Sequence, residues 1–182
     1  MSNRDDAWEF VTSRLKTEHL RSHLLASEAC MRALAARLGE DEDVWALTGL
    51  VHDVDLDEVD GDPGRHGEVG AGWLEERGYP AELVRAVRVH AGHAGPETTL
   101  DKGLIAVDPT TGFLVACTLV RPDRSLQSLK LKSVKKRMKE KRFAANVDRD
   151  QIRSVEALGV PTEEFLTLCI EAMRGIHESI GL

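Results

Sequence analysis

The sequence predicts an all-α protein. Aromatic residues make up only 4% of the chain, no stretch alternates apolar and polar residues long enough to make a strand, and apolar positions recur at helical spacing between Gly, Pro and capping residues. A first helix is expected over residues 5–16. A second, over residues 18–38, carries Leu24, Leu25, Cys30, Met31, Leu34 and Leu38 as a buried stripe, with Gly39 as its stop. A third begins at Asp41, whose side chain can cap it, and ends at the pair His52-Asp53. Residues 55–64, rich in Asp, Gly and Pro, read as a loop. Helices follow over 66–77, stopped by Gly78, and from Pro80 to about residue 90. Gly92, Gly95 and Pro96 then break the chain before a helix that starts near Thr98 or Thr99 and is expected to kink at Pro109, straight after Asp108. A basic segment over 121–142, a helix over 148–158 and a final amphipathic helix over 162–180 complete the reading.

With 182 residues, 42% of them hydrophobic, the chain can build one sizeable core, so a single domain over 1–182 is expected. No apolar run approaches the roughly 20 residues of a membrane span, and Met1-Ser2-Asn3-Arg4-Asp5-Asp6 lacks the basic and apolar regions of a secretory signal. Together these predict a cytoplasmic protein. Cys30, Cys117 and Cys169 are odd in number and far apart in apolar surroundings, which predicts buried, reduced thiols.

The net charge of −7 argues against a general nucleic-acid binder. It is unevenly spread: residues 121–142 hold ten Lys or Arg against Asp123 and Glu140, a net +8, which leaves −15 for the rest. Leu131, Val134 and Met138 fall on one stripe there with lysines around them, so the segment is either a solvated helix face or an anion-holding surface. Phe113, Phe143, Phe165 and the lone Tyr79 are not interleaved with the basic residues as base-stacking platforms would be. Apolar periodicity does not separate a core stripe from a subunit interface, so a homodimer stays open.

The chemistry concentrates at His52-Asp53, which closes the apolar run from Val44 to Val51. A carboxylate in such a setting costs several kcal/mol to bury without a cation or several donors. Asp108 poses the same problem behind Leu104-Ile105-Ala106-Val107, so the two carboxylates imply a shared positive partner. A divalent first-row metal that activates phosphate prefers imidazole and carboxylate ligands with positions left open, and His23, His52, Asp53 and Asp108 supply that mixture. If the second and third helices pair antiparallel, His23 and His52 become neighbours. The competing reading for each histidine is a lone surface or core group, and His19, one turn before His23, rivals it as a ligand.

His23, then His52-Asp53, then Asp108, in the contexts His23-Leu24-Leu25-Ala26-Ser27-Glu28-Ala29 and Leu47-Thr48-Gly49-Leu50-Val51-His52-Asp53, resemble the H…HD…D signature of the HD superfamily of metal-dependent phosphohydrolases. The likeness covers roughly residues 19–118, leaving the basic segment and C-terminal helices as an extension over 119–182. It implies a single HD-domain helical bundle whose four signature residues bind a divalent metal. The stretches Arg65-His66-Gly67-Glu68 and Val87-Arg88-Val89-His90 resemble branches with extra histidines, such as the symmetrical diadenosine tetraphosphate hydrolases. That likeness implies a second ion on His66 and His90 with Asp53 as the bridge; otherwise these two histidines support the ligands or hydrogen-bond phosphate. The chain departs from the pattern at Asp55, where many relatives place Gly, and at Pro109.

The implied activity is a phosphohydrolase using one or two divalent ions (Fe, Mn, Co, Mg or Zn) and a metal-activated hydroxide. Its substrate would be a small phosphorylated metabolite, a nucleotide or a dinucleoside polyphosphate by preference. Asp53, His66 and Asp57 are the catalytic candidates, with Asp57 or its neighbour Glu58 as general acid. His93, Lys102, Lys130, Lys132 and Lys135 are candidates for holding the substrate's phosphates. The acidic loop lacks the spacing of an EF-hand. A di-iron oxygenase and a non-catalytic regulatory or interaction module remain as alternatives on the same scaffold.

Overall fold

The computed structural model describes residues 4–182, so Met1–Asn3, part of the N-terminal reading above, lie outside the described residues. The described residues form helices and no strand: α1 (Arg4–Arg14), α2 (Glu18–Leu38), α3 (Glu42–Val51), α4 (Leu56–Val59), α5 (Glu68–Glu76), α6 (Ala81–His90), α7 (Thr99–Leu119), α8 (Leu131–Met138), α9 (Arg149–Arg153), α10 (Thr162–Gly175) and α11 (His177–Ile180). No helix among the described residues is long and apolar enough to cross a membrane.

The punctuation acts where local chemistry demands it. Gly39 ends α2 at φ 74°, a left-handed conformation that costs glycine little. The Asp41 carboxylate accepts from the Asp43 and Val44 amides and starts α3. Thr98 and Asp101 form a reciprocal capping box at the start of α7, and the buried Asp101 also meets Arg85 at 3.0 Å.

Three expectations need correction. Residues 55–64 are not wholly loop, since α4 makes one turn there before Asp60 and Gly61 reverse the chain at positive φ. The helix expected over 148–158 is α9 followed by a 3-10 turn over Ser154–Leu158. The last helix breaks at Ile176, whose φ of −120° leaves the helical region after Gly175. Pro109 lies inside α7 without ending it; the proline withholds one donor from the ladder, but packing on both sides holds the helix.

Two apolar clusters share α2 as a wall. Ala7, Val11, Leu15, Leu24, Leu50, Val54, Leu74 and Leu83 join α1, α3, α5 and α6 on one side. Met31, Leu34, Leu104, Phe113, Leu114, Phe165 and Met173 join α7 and α10 on the other. Cys30, Cys117 and Cys169 are buried and unpaired by disulfides, and burial pushes the Cys117 thiol up to about 12, which leaves it unreactive at neutral pH.

α2 and α3 pack most closely at Gly49. A Cβ there would sit 2.6 Å from the Ser27 carbonyl oxygen and 2.9 Å from the Glu28 nitrogen, so only glycine lets the two backbones approach this far. Gly49→Ala is expected to destabilise the fold by about 1–3 kcal/mol in urea unfolding, because the obstruction is backbone that cannot rotate away. Gly72→Ala, where a Cβ meets nothing within 4 Å, should be neutral or stabilising by about 0.5–1 kcal/mol in the same measurement.

Candidate metal centre

Four helical segments converge on Asp53. α2 supplies His23, the end of α3 supplies His52 and Asp53, α6 supplies His90, α7 supplies Asp108, and His66 stands just before α5. His23 Nε2 lies 3.3 Å from His52 Nε2, and the two lie 3.2 and 3.7 Å from Asp108 Oδ1. Each is 3.5 Å from Asp53 Oδ2. The other carboxylate oxygen, Asp53 Oδ1, lies 3.0 Å from His90 Nε2 and 3.4 Å from His66 Nε2. The donors thus fall into two sets, His23/His52/Asp53/Asp108 and Asp53/His66/His90, the ligand atoms of each set within 4.8 Å of one another, with Asp53 common to both.

Every imidazole in the cluster has its outer nitrogen occupied. Nδ1 of His52 meets the Gly49 carbonyl at 2.9 Å, and Nδ1 of His90 meets the Val87 carbonyl. Nδ1 of His66 meets Asp55 Oδ1 at 2.9 Å, and Nδ1 of His23 meets Thr111 Oγ1 at 3.0 Å. The Thr111 hydroxyl donates onward to the Asp108 carbonyl at 2.9 Å, so it is free to accept from His23. Carbonyl and carboxylate partners require a proton on Nδ1, which leaves the Nε2 lone pair aimed inward, the tautomer a metal ligand needs.

Two of these acceptors were not foreseen. Asp55, in the sequence only a departure from the family pattern, is fully buried and positions His66 while also accepting from the Gly67 and Gly70 amides at 2.8 Å each. A Cβ at Gly70 would lie 3.1 Å from Asp55 Oδ2, so the glycine admits the carboxylate. The available signal was a second acid continuing directly from His52-Asp53-Val54. Thr111, one turn beyond Asp108, offered no such signal, because a threonine inside a helix is ordinary.

The charges show how strained the cluster is with protons in place of metal. Burial opposes a charge on His23, but Asp108 and Asp53 outweigh it and raise its pKa to about 10. Burial likewise opposes charge on Asp53, yet His52, His23 and His90 hold its carboxyl well below the usual range. Asp108 is lowered against burial by His23 and His52, and its side chain keeps 35% of its surface exposed. Buried anionic oxygens beside inward lone pairs fit divalent cations.

The HD domain family profile matches residues 20–148 of this chain, a span that contains every candidate ligand described above. The chain belongs to the HD-domain family. Ribonuclease Y of Sulfurovum sp. (strain NBC37-1) is 28% identical over 87 residues, which cover 48% of this chain and 17% of that protein. This HD domain therefore spans a small part of that relative. No solved structure matches.

The structure brings together His23, His52, Asp53, His66, His90 and Asp108, and His19 stays outside the donor sets. His93 stands beside them with Nε2 2.7 Å from the His66 carbonyl, so it buttresses the His66 turn. Asp57 does not suit a general acid. Its carboxylate accepts from Thr17 Oγ1 and from the Lys16 and Thr17 amides at the α1–α2 junction, and the Thr17 hydroxyl heads the causes that keep its pKa low. A proton donor needs the reverse.

The lysines are placed apart from the centre as well. At 100° per residue, Gly112, Val115 and Leu119 share the face of α7 with Asp108, while Phe113 and Cys117 lie about 140° and 180° away. The basic segment packs on that second face: Phe143 stacks edge-on to Phe113, Arg149 covers Phe113, and Arg137 covers Phe143. Val134 is buried there, with Leu131 and Met138 partly buried beside it. Lys132 and Lys135 therefore ride on α8 behind α7, with Lys130 just before it, and Lys135 pairs with Glu163. Lys102 sits about 120° around α7 from Asp108, so it too leaves the centre.

Two ions per chain are expected by elemental analysis of protein purified without chelator. His90→Ala should lose one and Asp53→Ala both. Because the raised His23 pKa means the metal-free centre carries a proton at pH 7.5, metal binding should release it and strengthen as pH rises. Calorimetry in two buffers of different ionisation enthalpy measures this release, and Asp108→Asn should diminish it.

Proposed function

We propose that this HD domain hydrolyses a phosphoester bond of a small phosphorylated metabolite. One observation carries the reading: a single buried carboxylate, Asp53, offers one oxygen to each of two inward-facing histidine pairs. His23, His52 and Asp108 would hold one ion with Asp53, and His66 and His90 would hold a second. Divalent ions so placed polarise phosphoryl oxygens and lower the pKa of water toward neutrality.

The chain's own groups do the positioning. Gly49, Val87, Asp55 and Thr111 fix the four rings, so little reorganisation is left to the reaction. His23 and Asp53 form part of the surface of a cleft, which gives a substrate its approach to the centre. With Asp57 committed elsewhere, His19, exposed at the cleft one turn before His23, is the side chain suited to protonate a leaving oxygen.

The likeness to a ribonuclease supports phosphodiester chemistry as a second reading, with an RNA as substrate. The net charge of −7 and the position of the basic helix behind α7 weigh against it.

With manganese, cobalt or magnesium added, turnover of phosphomonoesters is expected, and His52→Ala and Asp53→Ala should lower it by about 100-fold or more together with metal content. Iron-dependent oxygen consumption with a mixed-valence signal would instead show an oxygenase. Inactivity with every metal, on phosphomonoesters and short RNA alike, would leave a binding module. His19→Ala should slow alkyl phosphates more than p-nitrophenyl phosphate, whose leaving group needs no proton; equal slowing of both would remove His19 from the proton transfer.

A further inference from the structure

The cleft that opens onto the metal centre is walled by hydrocarbon. It has a volume of about 500 Å³, and His23 and Asp53 form part of its surface, so whatever fills it touches the reacting end. Leu20 of α2, Val115 and Leu119 of α7, and Ile180 and Leu182 near the C-terminal end make the rest of the wall, with His19, Ser22 and Gly112 between them. No Lys or Arg lines it. Arg21, the nearest arginine in sequence, is spent on the Leu15 and Thr12 carbonyls, and the lysines of α8 are behind α7.

Leu119 is 47% exposed at the mouth, one of two large apolar side chains so exposed among the described residues. A leucine half in water beside a deep apolar wall gains from a ligand that covers it.

Charge decides what such a ligand can be. Two divalent ions can balance the charge of one phosphoryl group, but further phosphates of a polyphosphate would lie against Leu, Val and Ile with no Lys or Arg and only His19 to meet them. An apolar body, in contrast, exchanges water for hydrocarbon along the full wall. The volume falls within the roughly 300–1,000 Å³ of small-molecule sites.

We infer that the substrate carries a single phosphoryl group on an apolar body, which lies along Leu20, Val115 and Leu119 while its phosphoryl end meets the Asp53 corner. The inference rests on the phosphoester hydrolysis proposed above. It displaces the dinucleoside polyphosphate from the substrate class and makes the wall of α2 and α7 the specificity determinant.

Methyl-, butyl- and octylphosphonate, which cannot be hydrolysed, test this by calorimetry on the manganese-loaded protein. Affinity should rise by about fourfold for each methylene that enters the cleft, and a dinucleoside tetraphosphate should bind more weakly than octylphosphonate. Leu119→Glu should flatten the gradient, whereas Val120→Glu, a neighbour that is exposed but outside the cleft, should keep it. Equal affinity along the series, or tighter binding of the tetraphosphate, overturns the inference and leaves the hydrolase reading standing. Failure of all three phosphonates and of inorganic phosphate to bind overturns both. A Leu119→Glu protein that changes its sedimenting mass and retains the gradient would make this face a subunit contact, which also overturns it.

Discussion

Asp53 is the constraint around which the molecule is arranged. Its side chain is only 9% exposed, and a buried anion without counter-charge would cost more than a domain of this size can lose. Neutralisation has to come from several directions at once, because one imidazole cannot satisfy both oxygens. Elements far apart in sequence must therefore end at one point, and α2, α3, α6 and α7 do so. The pairs His23/His52 and His66/His90 then take one oxygen each, which divides the centre into two halves.

Convergence alone would not set the tautomers. Each ring needs an acceptor on its far side, and the fold supplies a different one every time: two backbone carbonyls within the ring's own helix, one carboxylate and one hydroxyl. The helix-borne carbonyls come with the local geometry of α3 and α6. Asp55 and Thr111 require tertiary contact, and Asp55 requires Gly70 as well, since any side chain there would crowd its oxygen. Gly49 has the same significance on a larger scale, because the distance between His23 and His52 depends on how closely α3 can lie on α2.

Charge is segregated with equal consequence. The basic segment and the anionic centre lie on opposite faces of α7, so the helix that holds Asp108 also separates the cations from the cleft. The cleft is left with apolar walls and a cluster at one end. Such a division suits a ligand with one charged end better than one charged throughout.

Helical class, the order of the elements and the residues that gather at Asp53 were legible in the sequence because each rests on short-range rules. Helical periodicity, the Asp41 cap and the Gly39 stop act within a few residues, and a His-Asp pair at the end of an apolar run is an electrostatic anomaly visible without coordinates. Asp57 and the lysines expected to hold phosphate lie away from the centre, because such placement depends on direction. Asp57 faces the start of α2 and the α8 lysines face away from Asp108, and charge in a sequence carries no vector. By itself the chain determined which residues could hold a metal and that they would be carried on helices. Only the tertiary structure decided which Asp53 oxygen faces which histidine pair and that hydrocarbon lines the approach, since both depend on how helices rotate about their axes when their backbones come into contact.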